Sequence, residues 1–429
     1  MAQLELGEVY YRLGDHDRAV ECFTRAYELR DEVSERERYL IAASYESLLE
    51  HYEEAAQSLK VLVRLYPDDV EAHQELALAY DAVGSTDGAI VELREVLRLD
   101  PHATQAYGQL SLFLAYVNEY QAALQVLETA ADRGLDSPYF GWGRGLALLG
   151  QGHAEGAVKA FRELAEAGPP YRRLGQFLVA RTAIHEGRLG QADEMLAASV
   201  GRDLRAEGEA FEIRSRLLRA RVALLRGEEQ TARVELDRVL AHSDDALQAE
   251  SLREAGSLRA EMGEVGRARE VLARLRGLSS GRPEPFWDSC VRLLEAEVAL
   301  AEGRAGEATA ILIDASLHRP RYLIDWGLGR AYAAQREWTL ASAALERVLG
   351  AHGEILRDGF PAHWALARLK LARARRAQGA LGDARAHYEA FLKAWSDADH
   401  LPVRDEALRE WQELEAEDAP RARASELRQ

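Results

Sequence analysis

Small and large apolar residues recur along this chain on a regular beat. Eleven alanines (Ala19, Ala55, Ala89, Ala123, Ala157, Ala192, Ala232, Ala268, Ala308, Ala341 and Ala384) are each followed four residues later by a large apolar side chain. Those partners are Phe23, Leu59, Leu93, Leu127, Phe161, Leu196, Leu236, Leu272, Leu312, Leu345 and Tyr388. The steps from Ala55 to Ala192 are 34, 34, 34 and 35 residues, and the later ones run 40, 36, 40, 33 and 43. Residues four apart share one helical face, so each pair predicts a helix with a narrow point and a filled space beside it. A fixed period of this length means one supersecondary unit repeated, each stacked on its neighbours to bury its apolar face.

Each unit reads as two helices joined by a tight turn. Five residues before the alanine stand Gly14, Gly84, Gly152, Gly187, Gly227, Gly263, Gly303 and Gly379. Glycine enters the left-handed conformation that ends a helix without a Cβ penalty. The second helix then starts within a few residues; after Gly84, Ser85, Thr86 or Asp87 can cap it. Alanine marks the crossing of the two helices, where a larger side chain would hold the backbones apart. Pro67, Pro101, Pro169 and Pro320 each lie twelve residues beyond their alanine and stop the second helix.

These residues resemble the tetratricopeptide repeat family. The closest fits are Leu76-Ala77-Leu78-Ala79-Tyr80 with Gly84, Ala89, Leu93, Val96 and Pro101, and Leu328-Gly329-Arg330-Ala331-Tyr332 with Trp338, Ala341, Leu345 and Val348. The resemblance covers about residues 2–395, and most units lack the glycine of the family's Leu-Gly pair. It implies an all-α, right-handed superhelix of about eleven helix pairs. Units one to five (residues 1–170) are regular, the first apparently truncated, and units six to eleven (171–402) are divergent. A capping helix at 403–416 and a disordered tail at 417–429 are expected to follow. The stretch Tyr388-X-X-Phe391-Leu392-X-X-Trp395-X-Asp397-Ala398-Asp399, with Leu349 to Leu356 before it, looks like the closing repeat of long tetratricopeptide regions in some bacterial proteins. In those proteins the repeats follow a serine/threonine kinase, cyclase or winged-helix domain, none of which is visible here.

Charge divides the chain. Residues 1–140 carry 27 acidic and 11 basic side chains, and the remainder 45 and 43. An acidic first third disfavours nucleic acid and anionic membrane, because phosphates need neutralising cations. A basic partner surface and a merely solvated face both fit it. No run of about 18 apolar residues is present and no signal peptide is visible, so a cytoplasmic location is expected. Basic residues are almost all arginine, a bias that suits a GC-rich bacterial genome.

Catalytic chemistry is not legible. There is no phosphate loop, zinc-binding His-Glu-X-X-His or nucleophile elbow. Cys22 and Cys290 are isolated and read as packing residues, so neither disulfide nor metal is implied. Gly141-Trp142-Gly143-Arg144-Gly145 falls in a first helix and follows no strand, which favours close helix packing over nucleotide binding. No enzyme, cofactor or metal is expected.

The resemblance implies that first helices line the concave face, with the residue eleven before each alanine pointing inward. That series begins Glu8, Ser44, Leu78, Leu112, Leu146, Arg181 and Arg221, with Tyr116, Tyr139, Trp142, Phe177 and Arg214 beside it. Two readings stand. These residues are an apolar strip leading to a cationic one, the anchors of a protein or peptide segment. Or the leucines pack between units and the arginines pair with neighbouring glutamates. The first gives a non-catalytic binding scaffold, for which a ligand-sensing arm of a bacterial signalling protein is the alternative. The family's terminal-carboxylate clamp of lysines and asparagines is absent, because Glu71, Gln74, Gln105 and Gln109 hold those positions.

Overall fold

The computed structural model describes residues 1–12, 16–49, 51–199, 209–242, 248–280, 285–315 and 321–426. Among these residues the regular structure is helical throughout. Eleven pairs follow in order: α1 (Ala2–Arg12) with α2 (His16–Glu28), α3 (Glu35–Leu48) with α4 (Tyr52–Leu65), α5 (Val70–Ala82) with α6 (Thr86–Leu99), and α7 (Thr104–Tyr116) with α8 (Tyr120–Asp132). Next come α9 (Phe140–Gly150) with α10 (Ala154–Glu166), α11 (Tyr171–His185) with α12 (Leu189–Ser199), α13 (Glu209–Leu225) with α14 (Glu229–Leu240), and α15 (Ala249–Glu261) with α16 (Val265–Ser279). The series closes with α17 (Pro285–Ala301) and α18 (Ala305–Asp314), α19 (Arg321–Ala334) and α20 (Trp338–Gly350), the short α21 (His352–Arg357), and α22 (His363–Ala377) with α23 (Leu381–Ala394). The last helix, α24 (Pro402–Glu426), runs beyond 416 and takes up most of the stretch expected to be a disordered tail; residues 427–429 lie outside the described residues. No described helix is long and apolar enough to cross a membrane.

The repeat physics holds in detail. All eleven alanines have no exposed surface, and all eleven large partners are buried. Seven of the eight glycines have φ between 73° and 84°; Gly14 lies outside the described residues. At two of the three positions that lack the glycine the backbone turns left-handed anyway, at Asn118 (φ 65°) and Arg336 (φ 61°), and the third, Glu50, lies outside the described residues. The turn is closed by a backbone bond spanning five residues, such as Ser85 N–H to Tyr80 O at 2.7 Å and Glu337 N–H to Tyr332 O at 2.9 Å. That bond satisfies a carbonyl the ended helix would otherwise leave unpaired. Ser85 takes the cap position of α6, but its side chain makes no capping hydrogen bond. Helices α4, α6 and α10 stop shortly before Pro67, Pro101 and Pro169; Pro320 lies outside the described residues.

The chain forms two compact units, Met1–Ala147 and Leu148–Gln429, divided within α9. In the first, hydrophobic cores form locally between successive pairs, as where Leu40, Leu59, Leu62 and Leu76 meet. Gly143 lets α9 lie directly on α7: a Cβ there would sit 2.5 Å from Ser111 Oγ and 3.1 Å from the Leu112 backbone nitrogen. In the second unit one core joins distant repeats. Phe177, Leu189, Leu196 and Val222 pack with Tyr322, Leu345, Phe391, Trp395 and Leu414. The second unit therefore closes on itself instead of remaining an open superhelix.

Candidate functional site

In the first unit, Glu71, Glu75 and Leu78 lie at i, i+4 and i+7 on one face of α5. The same register one repeat on holds Gln105, Gln109, Leu112 and Tyr116 on α7, and then Tyr139, Gly143 and Leu146 at α9. The stripe is open on α5, where Glu71 and Glu75 are exposed and Leu78 keeps 39% of its surface. It is filled further on: Leu112, Tyr116 and Leu146 are buried, so these three are packing residues here and not open groove contacts. Tyr139 and Trp142 are half-buried, their rings edge to face at 5.8 Å.

The open part of the stripe is rich in hydrogen-bond acceptors. Arg36 reaches Asp69 at 2.5 Å and Glu71 at 2.7 Å, which holds its guanidinium firmly protonated. Among the described residues Glu75 has no such cation. The surrounding wall strips part of its hydration, and Glu8 and Glu71 add like charge, pushing its carboxyl up to about 7. Next in register, the buried Gln109 Oε1 has no hydrogen-bond partner among the described residues. Glu75 and Gln109 are absent from the sequence-based candidates, although both sit fourteen residues before their alanine.

In the second unit the expected cationic strip is used inside the chain. Arg181 is buried, and its Nη2 donates to the carbonyls of Gly359 (2.8 Å), Leu356 (3.0 Å), Ile355 (3.2 Å) and Arg357 (3.4 Å). Three of these are at the C-terminal end of α21, where unpaired carbonyls concentrate negative charge. Arg221 is buried against Glu254 (2.7 Å) and Glu261 (3.5 Å), with its guanidinium 5.2 Å from the Phe360 ring centre. Phe177 packs on Phe211 at 5.2 Å. Thus Phe177, Arg181 and Arg221 are corrected from groove anchors to internal contacts, and only Arg214 of this group is exposed. The closure was not foreseen. Its clasp comes from the closing-repeat motif itself: Trp395 Nε1 donates to His185 O at 3.1 Å, and Asp399 accepts from Gly190 N–H at 2.6 Å.

Stacked helix pairs whose crossings are alanine and whose first helices form an inner wall define an α-helical repeat protein, a class built for protein–protein interaction. Sequence models described as tetratricopeptide repeat match residues 1–32, 43–104, 114–172 and 327–399. The chain belongs to the tetratricopeptide repeat family. Among solved structures it is similar to a tetratricopeptide repeat protein from Parabacteroides merdae, with 16% identity over 59% of this chain and 97% of that one and a TM-score of 0.43. It is also similar to a thermophilic TPR protein of Thermus thermophilus, with 23% identity over 39% and 91% and a TM-score of 0.34. Among curated proteins none matches.

Proposed function

We propose that the chain is a non-catalytic scaffold whose first unit holds a segment of a partner protein against the inner stripe of α5, and that this segment is cationic with apolar residues between its charges. The observation that carries the reading is the contrast in use of one register. Leu78 remains exposed beside Glu71 and Glu75, while the equivalent Arg181 and Arg221 are consumed within the second unit. An acidic wall meets a basic segment with complementary potential, which sets orientation and association rate, and the exposed leucine supplies apolar burial. Tyr139 and Trp142 extend the apolar side.

The test uses two fluorescent dodecapeptides, one repeating Lys-Leu-Ala and one repeating Glu-Leu-Ala. The lysine peptide is expected to bind, more weakly as salt rises, and the glutamate peptide not to bind. Glu75→Lys with Leu78→Asp should weaken binding at least tenfold. Equal affinity for both peptides, or full affinity in the double variant, removes α5 as the site.

A further inference from the structure

On the inner wall of the second unit two buried N–H donors lack an acceptor among the described residues and the Lys370 ammonium lacks an ion pair, although four carboxylates stand nearby, Glu250 beside Arg253 among them. Three of those carboxylates are committed. Glu254 pairs with Arg221 at 2.7 Å and Glu297 with Arg330 at 2.8 Å, while Glu261 stands between the two guanidiniums at 3.5 and 3.9 Å. Lys370 on α22 has no ion-pair partner among the described residues. Its Nζ lies 5.3 Å from the centre of the Trp326 ring, and the side chain keeps contact with water.

Two turns back on the same face of α22, at i−7, His363 stacks on the same Trp326 ring at 4.3 Å. His363 Nε2 lies 3.5 Å from Arg221 Nη1. A guanidinium has only donors, so Nε2 is the accepting nitrogen and the proton sits on Nδ1. That Nδ1 is buried without a partner, and so is Nε of the neighbouring Arg253. Buried N–H donors without acceptors are rare, and these two, on a wall that also carries Lys370 without an ion pair, point to a missing acceptor.

We propose that this wall binds a small oxyanion, a carboxylate or phosphate, seated beside Trp326 between Lys370 and His363. The anion supplies acceptors to both and the counter-charge that Lys370 lacks. It must be small, because Arg221 already reaches from α13 to His363 and Arg181 from α11 to the carbonyls at and just beyond the end of α21. The electrostatics agree. Burial, then Arg330 and Arg373, push Lys370 down to about 8; burial, then Arg221, holds His363 well below the usual histidine range. An added anion would reverse both trends.

The full chain is melted in HEPES and sodium chloride at pH 7, with sodium phosphate, sulfate, acetate or succinate added at matched ionic strength. A saturable rise in Tm is expected with at least one of them. Lys370→Met should melt higher than the parent in chloride alone, because an unanswered cation is gone, and should lose the response; Lys370→Arg should keep it. Independently, the chain has four lysines (Lys60, Lys159, Lys370 and Lys393), so acetic anhydride labelling can be read site by site. The stabilising anion should protect Lys370 at least threefold and leave the other three unchanged. No Tm response to any of the four anions, an undiminished response in Lys370→Met, or unchanged labelling of Lys370 would overturn the proposal.

Discussion

Replacing Arg181 by methionine tests whether the second unit is held closed by side chains that an open superhelix would present to a ligand. As a groove residue, Arg181 could be changed without harm to the fold. As observed, one guanidinium nitrogen serves four carbonyls, and its two hydrogens can satisfy the two nearest, Gly359 O at 2.8 Å and Leu356 O at 3.0 Å. Hydrogen bonds to a charged group contribute about 1.5–3 kcal/mol each, so two represent roughly 3–6 kcal/mol. Methionine retains much of the aliphatic contact and relieves the burial of a charge, which offsets part of that. The expected net loss is about 3 kcal/mol, and because repeat arrays need not unfold as one unit, a global midpoint alone is insufficient. Hydrogen exchange at residues 355–360 is the direct assay: these amides should lose protection while those of α5 and α6 keep theirs. Unchanged exchange at 355–360, together with an unchanged thermal midpoint, would refute the clasp and return Arg181 to the open surface.

Three further outcomes follow from the packing and the buried charges. Ala89→Leu should overpack a crossing with no free surface and destabilise the first unit by about 1–3 kcal/mol; a parental melting curve would remove the alanine column as its basis. Burial holds His185 down at about 4, and His352 and His363 are also depressed. The unfolded chain therefore takes up these protons first, so stability is full above about pH 6.5 and falls toward pH 4, by about 2 kcal/mol or more at pH 5. A urea midpoint that stays flat from pH 7.5 to 5 would contradict this. Arg336→Gly should relieve a left-handed residue worth about 1–2 kcal/mol, less the extra entropy of glycine, and raise stability by about 0.5–1 kcal/mol. A lower midpoint would show that the Arg336 side chain contributes more than its backbone loses.

The alanine column was legible because it obeys a steric rule that needs no distant information. A methyl group at a crossing and a large side chain four residues on are local facts, and all twenty-two positions are buried as the rule requires. The glycine turn was legible for the same reason. Its exceptions were not: Asn118 tolerates the left-handed region through its short polar side chain, but Arg336 has no such excuse. The tertiary packing of α19 on α20, with the Glu337 N–H bonded to Tyr332 O, imposes the turn there against local preference.

The inner wall was legible only as a register. Position eleven before the alanine selects Leu78 and Arg181 alike, and nothing within one repeat tells which will meet water. That depends on whether another part of the chain returns to cover it. For Arg181 the returning part is the segment from α21 to Gly359, about 175 residues away, fixed in place by Trp395 on His185 and Asp399 on Gly190. The closing motif from Tyr388 to Asp399 held the needed signal, because a buried tryptophan and an acceptor carboxylate placed after the final pair require a surface to receive them. In the first unit Glu71 and Glu75 are more informative than the leucines around them. A packing stripe has no use for neighbouring carboxylates, and desolvation, with the like charges of Glu8 and Glu71, raises the Glu75 carboxyl to about 7. A lysine or arginine from a partner would answer that charge on a stretch of the register that remains open.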